Sequence, residues 1–479
     1  MQATVQAIIP GSFEPEQHFY ERVLNAQIHP LVRYFMTLGN ERIVQRYCHL
    51  HPESNMEAVR RLLRTTPKHF RWGGADLFLV SRDDGTRQIV VVETNSCPSG
   101  QKSMPLLDES QEHGGYRTLL EHAFLDLLNT RGLPSGALAV LYDKNTMEAS
   151  GYAATLADLT SEPVYLVPFY TNQNGVTAKF DDEGVLHVCD ESGRWIPVRA
   201  AMRYVTQRPW TRLPPINRTM VFNPSLACLA GGRNKLVAAK AYDLLNAKLA
   251  EDGLEIRTPE TIWDCSLMEV PLWIQRLGGF GVVKNPYSNA GQGVWTITSP
   301  DELAAFMDLE HRYDRFIVQA LIGNSGWSSS GKQGRLYHVG TVPNRKHEIF
   351  AADVRCMVGA GPSGFRPIAV YARRARMPLG DSPTSTGSSW DVLGTNLSFK
   401  RSDGSWGGNT ERLLLMDSRD FNRLGIGLDD LIEGYIQTVM SVTAIDEMAE
   451  QLVTKKGKFR RRLFLSLNPD PTLVDEVMQ

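Results

Sequence analysis

The 479-residue chain has only six cysteines, Cys48, Cys97, Cys189, Cys228, Cys265 and Cys356, scattered and without a CxxC pair. That pattern speaks against structural zinc and a disulfide framework, and it suits a reducing cytoplasm. No run of about 18 apolar residues occurs, so no transmembrane helix is expected. There is no basic excess either: 51 Lys and Arg stand against 53 Asp and Glu, a net charge of −2. Nucleic-acid-binding proteins usually carry a basic surplus, so none is expected as a partner. The opening MQATVQAIIPGSFEPEQ has no basic segment followed by a long apolar core, and a signal peptide is not expected. A GxSxG elbow is also missing. What remains is ordinary globular composition, 42% hydrophobic and 22% charged, long enough for two or three packed domains in the cytoplasm. The oligomeric state is left open.

The most informative stretch is Gly281–Thr298, GVVKNPYSNAGQGVWTIT. A β-branched run ends in Lys284, a small polar loop Asn289-Ala290-Gly291-Gln292-Gly293 follows, and Val294–Thr298 forms a second apolar run. Two strands joined by a glycine loop, with lysine on the first, suit a cover for nucleotide phosphates. Glycine lets backbone N–H groups approach anionic oxygens closely. The loop's spacing matches neither GxxxxGK[ST] nor GxGxxG. An ordinary β-hairpin with a long turn is the other reading.

Along the chain, residues 15–64 show helical periodicity, and Asp76–Val80 with Gln88–Glu93 read as a hairpin turned at 83–86. Helices are expected at Tyr116–Leu128 and Ser150–Leu159, strands at Ala137–Tyr142 and Val164–Pro168. That alternation predicts a parallel α/β layer from about 70 to 225. A second unit begins near Phe222 with the amphipathic helix Asn234–Leu249. The tail from about 411 is mostly helical and includes the basic run Lys455–Arg462, read as a solvated helix end.

In order, the lysine-bearing helix at Asn234-Lys235, the Ile256-Arg257-Thr258-Pro259-Glu260-Thr261 strand, the Lys284 strand with its loop, and the Phe316–Leu321 strand resemble an ATP-grasp fold. In that superfamily two α+β subdomains grip ATP. The resemblance spans about 235–400. It implies that Lys235 and Lys284 contact the nucleotide phosphates, that Gly291, Gln292 and Gly293 cover them, and that Gln319 and Leu321 border the adenine. One departure is Asn285, which separates Lys284 from Pro286 where the family often has Lys-Pro.

Val90–Pro105, VVVETNSCPSGQKSMP, holds Glu93 and Asn95 two apart at a strand end, on one face. A carboxylate beside an amide carbonyl suits Mg²⁺, which prefers oxygen ligands. This E-x-N resembles the magnesium motif of ATP-grasp ligases, displaced ahead of the ATP-binding elements as in eukaryotic glutathione synthetase. A circular permutation explains that order. Gly100 and Pro105 echo ligases related to the pheganomycin peptide ligase. A strand-end turn with ordinary capping is the alternative.

Asp353 and Arg355 alternate on another strand, followed by Arg373 and Arg374. By resemblance, Arg355 faces the transferring phosphoryl group, where a fixed guanidinium helps. A cross-strand ion pair is the other reading. Asp353 and Asn324 are candidates for a third metal ligand, and Asn396 resembles a segment near the substrate in similar ligases. The Arg71–Asp76 segment is a weaker candidate for the acceptor pocket. Cys97 has no evident histidine partner and is not expected to be a catalytic thiol.

The resemblance therefore implies an α/β protein in three parts: a parallel-sheet pre-grasp domain with the E-x-N motif (1–225), ATP-grasp subdomains (226–410), and a helical C-terminal segment (411–479). The implied reaction is ADP-forming ligation of a carboxylate to an amine through an acyl phosphate, with ATP and Mg²⁺. Substrates would be small molecules, amino acids or short peptides, with neither nucleic acid nor membrane as partner. A phosphotransferase without ligation and a non-catalytic ATP-binding regulatory protein are the alternatives.

Overall fold

The structure is a computed structural model. It describes residues 4–171, 176–206, 212–288, 291–332, 334–383, 388–400 and 406–478. The protein is mixed α/β with a helical C-terminal segment, as expected.

Three sheets carry the architecture. The first has seven strands, and its parallel heart runs Val164–Pro168, Ala137–Tyr142, Trp195–Tyr204, Met220–Phe222. Ala137–Tyr142 is apolar throughout because both of its faces are covered. Leu138 and Val140 enter the main core, while Ala139 and Leu141 enter a second one. Thr146–Thr160 is the crossover helix between two of these strands.

The second sheet has four antiparallel strands in the order Thr261–Ser266, Arg315–Gln319, Gly281–Lys284, Val294–Ile297. The Lys284 hairpin is therefore present, with Lys284 opposite Val294. The strand expected from Ile256 starts only at Thr261. Pro259 has no N–H to give to a ladder, which delays pairing.

The third sheet is antiparallel and has seven strands. At its centre, Trp72–Arg82 pairs with Arg87–Ser96 on one side and with Ala352–Gly361 and Gly334–His338 on the other. Gly364–Arg374 extends it. The parallel layer is thus confined to residues 137–222, and the 72–96 hairpin does not join it. A parallel neighbour needs a crossover connection, and the short turn at 83–86 provides only an antiparallel one. The sheet that carries Glu93 and Asn95 consequently runs across the boundary expected near 225.

The long helix Leu428–Gln451 packs beneath this sheet, with Ile432, Tyr435, Ile436, Val439 and Val442 buried. The approach is close. A Cβ at Gly73 would overlap Val442, so only glycine fits there. Asp446 near the helix end accepts hydrogen bonds from the backbone N–H groups of Lys68 (2.9 Å), His69 (2.7 Å) and Phe70 (2.8 Å). These bonds fix the chain as it enters the central strand. No helix among the described residues is long and apolar enough to cross a membrane.

Asp446 is 5% exposed, and Asp446→Ala removes the acceptor of three backbone donors, of which the Phe70 N–H is buried and the other two are partly so. Each unsatisfied buried group costs about 1–3 kcal/mol, and a total loss of about 3 kcal/mol is expected, with Asp446→Asn losing less. Urea unfolding followed by circular dichroism measures it. An unchanged midpoint for Asp446→Ala would remove this helix from the support of the sheet.

Candidate functional site

The upper face of the third sheet is charged. Register places Glu93 opposite Asp76, Asp76 opposite Arg355, and Arg355 opposite Tyr371, so these side chains form one row across four strands. One step along, Asp353 lies between Phe78 and Arg373 on the same face. Arg355 grips Asp76 bidentately, Nε to Oδ1 at 2.6 Å and Nη2 to Oδ2 at 2.7 Å. Arg373 reaches Asp76 at 3.1 Å and holds Asp353 with both arms of its fork. Burial works to raise the Asp76 carboxyl, but Arg355 and Arg373 outweigh it and hold the group well below the carboxylate range. Asp353 moves the other way, because burial and the neighbouring Asp76 charge exceed the pull of Arg373.

Lys235 and Lys284 face this row from the other side. Asn234 caps the Lys235–Leu249 helix by accepting from the Val237 N–H (3.2 Å), and the Lys235 N–H donates to the Pro286 carbonyl (2.9 Å). The helix start is thereby hooked to the hairpin. The Lys235 ammonium lies 3.2 Å from a Glu93 oxygen and donates to the Ser288 carbonyl at 3.1 Å. Lys284 donates to Gln319 Oε1 at 2.7 Å. Burial drives the Lys284 ammonium down to about 8, against the pull of Glu93. Burial also works to raise Glu93, yet Lys235 above all, with Lys284 and Arg233, leaves its carboxyl below the ordinary value.

These groups line one cavity of about 1230 Å³. Glu93, Asn95, Lys235, Lys284, Gly291, Gln292, Gln319, Leu321, Asp353 and Arg355 all face it. Gly293 is not among the lining residues. Its carbonyl closes the hairpin by accepting from the Asn285 N–H (2.8 Å). Gly291 and Gly293 have φ of +74° and +64°, which glycine adopts without strain. A Cβ at Gly291 would meet Trp390 at 2.9 Å and Asn396 at 3.1 Å, so this loop rests against the 390–396 segment. Asn289 and Ala290 lie outside the described residues. Asn324 does not face the cavity. It caps its own turn, accepting from Gly326 N (2.8 Å) and Trp327 N (3.1 Å). Arg374 turns away too, over the Phe350 ring. Cys97 is buried, its thiol is pushed up by that burial, and it donates to the Arg203 carbonyl.

Glu93 and Asn95 offer only oxygen donors, which fits Mg²⁺. That ion takes one or two protein ligands and fills its octahedron with water and phosphate oxygens. Among the described residues no cluster of three or more His, Cys, Asp or Glu suited to a metal is present. In this state Arg233 donates to Asn95 Oδ1 at 3.0 Å, and Lys235 holds Glu93. A metal between the two would compete with those cations. Asp353, committed to Arg373, would likewise have to be released.

Sequence reasoning did not single out Arg233 or the pairing of Asp76. The signal for Asp76 was present, since Asp76 and Glu93 stand at nearly equal distances from the turn at 83–86. Arg233 directly precedes the Asn234-Lys235 pair and had no pattern of its own.

No protein-family model matches the chain, and no curated protein matches it. Among solved structures, it is similar to a RimK domain protein ATP-grasp from Sphaerobacter thermophilus, with 15% identity, a TM-score of 0.28, and 54% of this chain and 97% of that one covered. A glutathione synthetase-like effector from Globodera pallida, in apo form, shows 10% identity and a TM-score of 0.37, with 80% and 90% covered. A D-alanyl-alanine synthetase A from Vibrio cholerae shows 13% and 0.30, with 55% and 94% covered. With TM-scores this low, the likeness bears on neither chemistry nor substrate.

Because Lys284 is depressed to about 8, it loses its charge as pH rises through that value, and unliganded protein at pH 9 presents a mostly neutral amine. An exposed lysine titrates near 10.4. Reductive ¹³C-methylation followed by NMR titration, with Lys284→Arg for assignment, should show one early-titrating signal missing from the variant. Titration of that signal at the ordinary lysine value would refute the buried placement.

Proposed function

We propose that the protein is an ATP-dependent, ADP-forming ligase that joins a carboxylate to an amine. The observation that supports this best is the convergence on one cavity wall of Lys235 and Lys284, the Glu93/Asn95 oxygen pair and Arg355, from segments far apart in sequence. Phosphoryl transfer needs positioning and charge neutralisation and no covalent nucleophile from the protein. That is the inventory along this wall.

In this reading Lys235 and Lys284 hold the phosphates, and Gly291 and Gln292 cover them. Gln319, opposite Val282 and bonded to Lys284, keeps that ammonium aimed into the cavity. Mg²⁺ held by Glu93 and Asn95 would supply neutralisation of phosphate charge. Arg355, fixed by Asp76, faces the transferring group. A substrate carboxylate oxygen attacks the γ-phosphorus, the bond to the ADP oxygen breaks, and an acyl phosphate results. An amine then attacks the acyl carbon, phosphate leaves with the acyl–oxygen electron pair, and the ammonium proton is lost. Arg355 and Arg373 present fixed guanidinium charge to the oxygens that become negative, which is worth most in a water-poor site.

The test is a screen of carboxylates and amines for MgATP-dependent phosphate release, with mass analysis of the product. ADP, phosphate and an amide support ligation, whereas ADP with a phosphorylated product that resists amines means a kinase. Lys284→Ala should lower turnover about 10²–10³-fold with the fold intact, on the scale of losing one transition-state donor. Glu93→Gln should also lower turnover and raise the Mg²⁺ requirement. Wild-type rates in both variants, at unchanged melting temperature, would remove this wall from the chemistry.

A further inference from the structure

After Asn95 the chain crosses over the charged face. Pro98 lies against Gly74, where a Cβ would come within 2.8 Å of it, and a Cβ at Gly100 would meet Tyr371 at 2.7 Å. The crossing brings the 97–103 loop to the Tyr371 end of the row, beyond Arg355 and opposite to the lysines at Glu93. Tyr371 and Arg355 both donate to the Ser99 carbonyl, at 2.7 and 3.5 Å. Glu148, fully buried on the Thr146–Thr160 helix, fixes the loop by accepting from Gly100 N and Gln101 N (2.8 Å each) and from Ser99 Oγ (2.6 Å). It also accepts from Tyr204 Oη at 2.8 Å, so its oxygens are saturated.

The cavity is lined by Ser99, Lys102 and Ser103 of this loop, and by Lys144 and Asn145, which meet the loop at the Cys97 carbonyl (3.4 Å) and at Ser99 Oγ (3.1 Å). Lys102 is 7% exposed, with its ammonium 5.2 Å from the centre of the Tyr20 ring. Lys144 is half-buried, its ammonium 5.0 Å from the Tyr204 ring centre and 3.4 Å from the Cys97 carbonyl. Among the described residues neither ammonium has a carboxylate within 4.0 Å. The nearby acids are committed elsewhere, Glu148 to the loop and Asp143 to the Thr206 N–H and Arg212. Burial, then the Arg233 charge, presses Lys144 down to about 7 against the weaker pull of Cys97, Asp143 and Glu148. Lys102 is buried and the charge of Lys144 is disfavoured by its surroundings, so a bound anion offsets the cost of holding the two ammonium groups charged at this wall.

Resting on the ligase reading above, we propose that Lys102 and Lys144 form a subsite for a second carboxylate of the acyl substrate, which makes that substrate a dicarboxylic acid or an acidic amino-acid derivative. Its reacting carboxylate lies toward Arg355 and its other carboxylate toward the 97–103 loop. Ser99, Ser103 and Asn145 add neutral polar groups to the same wall. A monocarboxylate would leave both ammonium groups unpaired.

Two measurements on the full chain separate this proposal from the reading it rests on. The first is calorimetric binding of straight-chain dicarboxylates from malonate to adipate, and of N-acetylglutamate, each beside its monoamide, without nucleotide. At least one diacid should bind roughly tenfold more tightly than its monoamide, and Lys102→Gln and Lys144→Gln should each remove most of that difference. MgATP affinity should stay within about twofold in both variants, since neither lysine contacts the phosphates in this reading. The second measurement is trapping of acyl phosphate by hydroxylamine with the same compounds, where each substitution should raise KM for the diacid with a smaller effect on kcat. No preference for any diacid over its monoamide, or a preference that survives both substitutions, overturns the subsite. Selective diacid binding that depends on both lysines, without hydroxamate, upholds the subsite and sinks the ligase reading.

Discussion

The ion network across the central sheet, Arg355 on Asp76 and Arg373 on both Asp76 and Asp353, is the constraint on which the rest depends. It joins three strands side by side; Asp76, Asp353 and Arg373 are buried, and Arg355 faces the cavity. Removing one partner would leave an uncompensated buried charge, which is far more costly than the pair is stabilising. The network therefore fixes the direction of Arg355 as firmly as the backbone fixes its Cα. Its specificity comes from the bidentate fork, which a lysine would not reproduce.

Around that network the cavity wall holds more cations than carboxylates. Lys235, Lys284 and Arg233 meet Glu93 and Asn95, while Lys102 and Lys144 have no carboxylate within 4.0 Å among the described residues. Four neighbours shift the same way for different reasons: Glu93 and Asp76 are held down by the cations, and Lys284 and Lys144 are pressed down by burial. Glu93 is the member most exposed to a change of state, because Lys235 bridges it to Ser288 on the hairpin.

Much of this was legible in the sequence wherever local pattern decides the structure. The run Gly281–Lys284, the helix after Asn234 and the buried strand Ala137–Tyr142 carry their own periodicity and caps, and they form where expected. The E-x-N spacing put Glu93 and Asn95 at the end of one strand, with two-residue alternation aligning their side chains. What could not be read was lateral order in the third sheet. Nothing near Asp76 announces that residues 352–361 will lie beside it, since that pairing is set by packing over the Leu428–Gln451 helix. For the same reason the parallel layer is shorter than its alternating pattern predicts, and Asn324, a candidate ligand by its residue type, spends its side chain in a local turn. Lys102 and Lys144 were invisible because surface and cavity lysines look alike in sequence.

The central position of Trp72–Arg82 also bears on how the chain comes to be folded. One edge of this strand is satisfied at once by its hairpin partner, but the other waits for residues 334–361, more than two-thirds of the way along the chain. During synthesis that edge is an unpaired row of donors and acceptors flanked by apolar side chains such as Leu77, Leu79 and Val80. Closing so long a loop is slow, and an open edge is prone to pairing with the wrong chain. The shared sheet that brings the charged row together therefore leaves one edge of its central strand without its partners until residues 334–361 have been made.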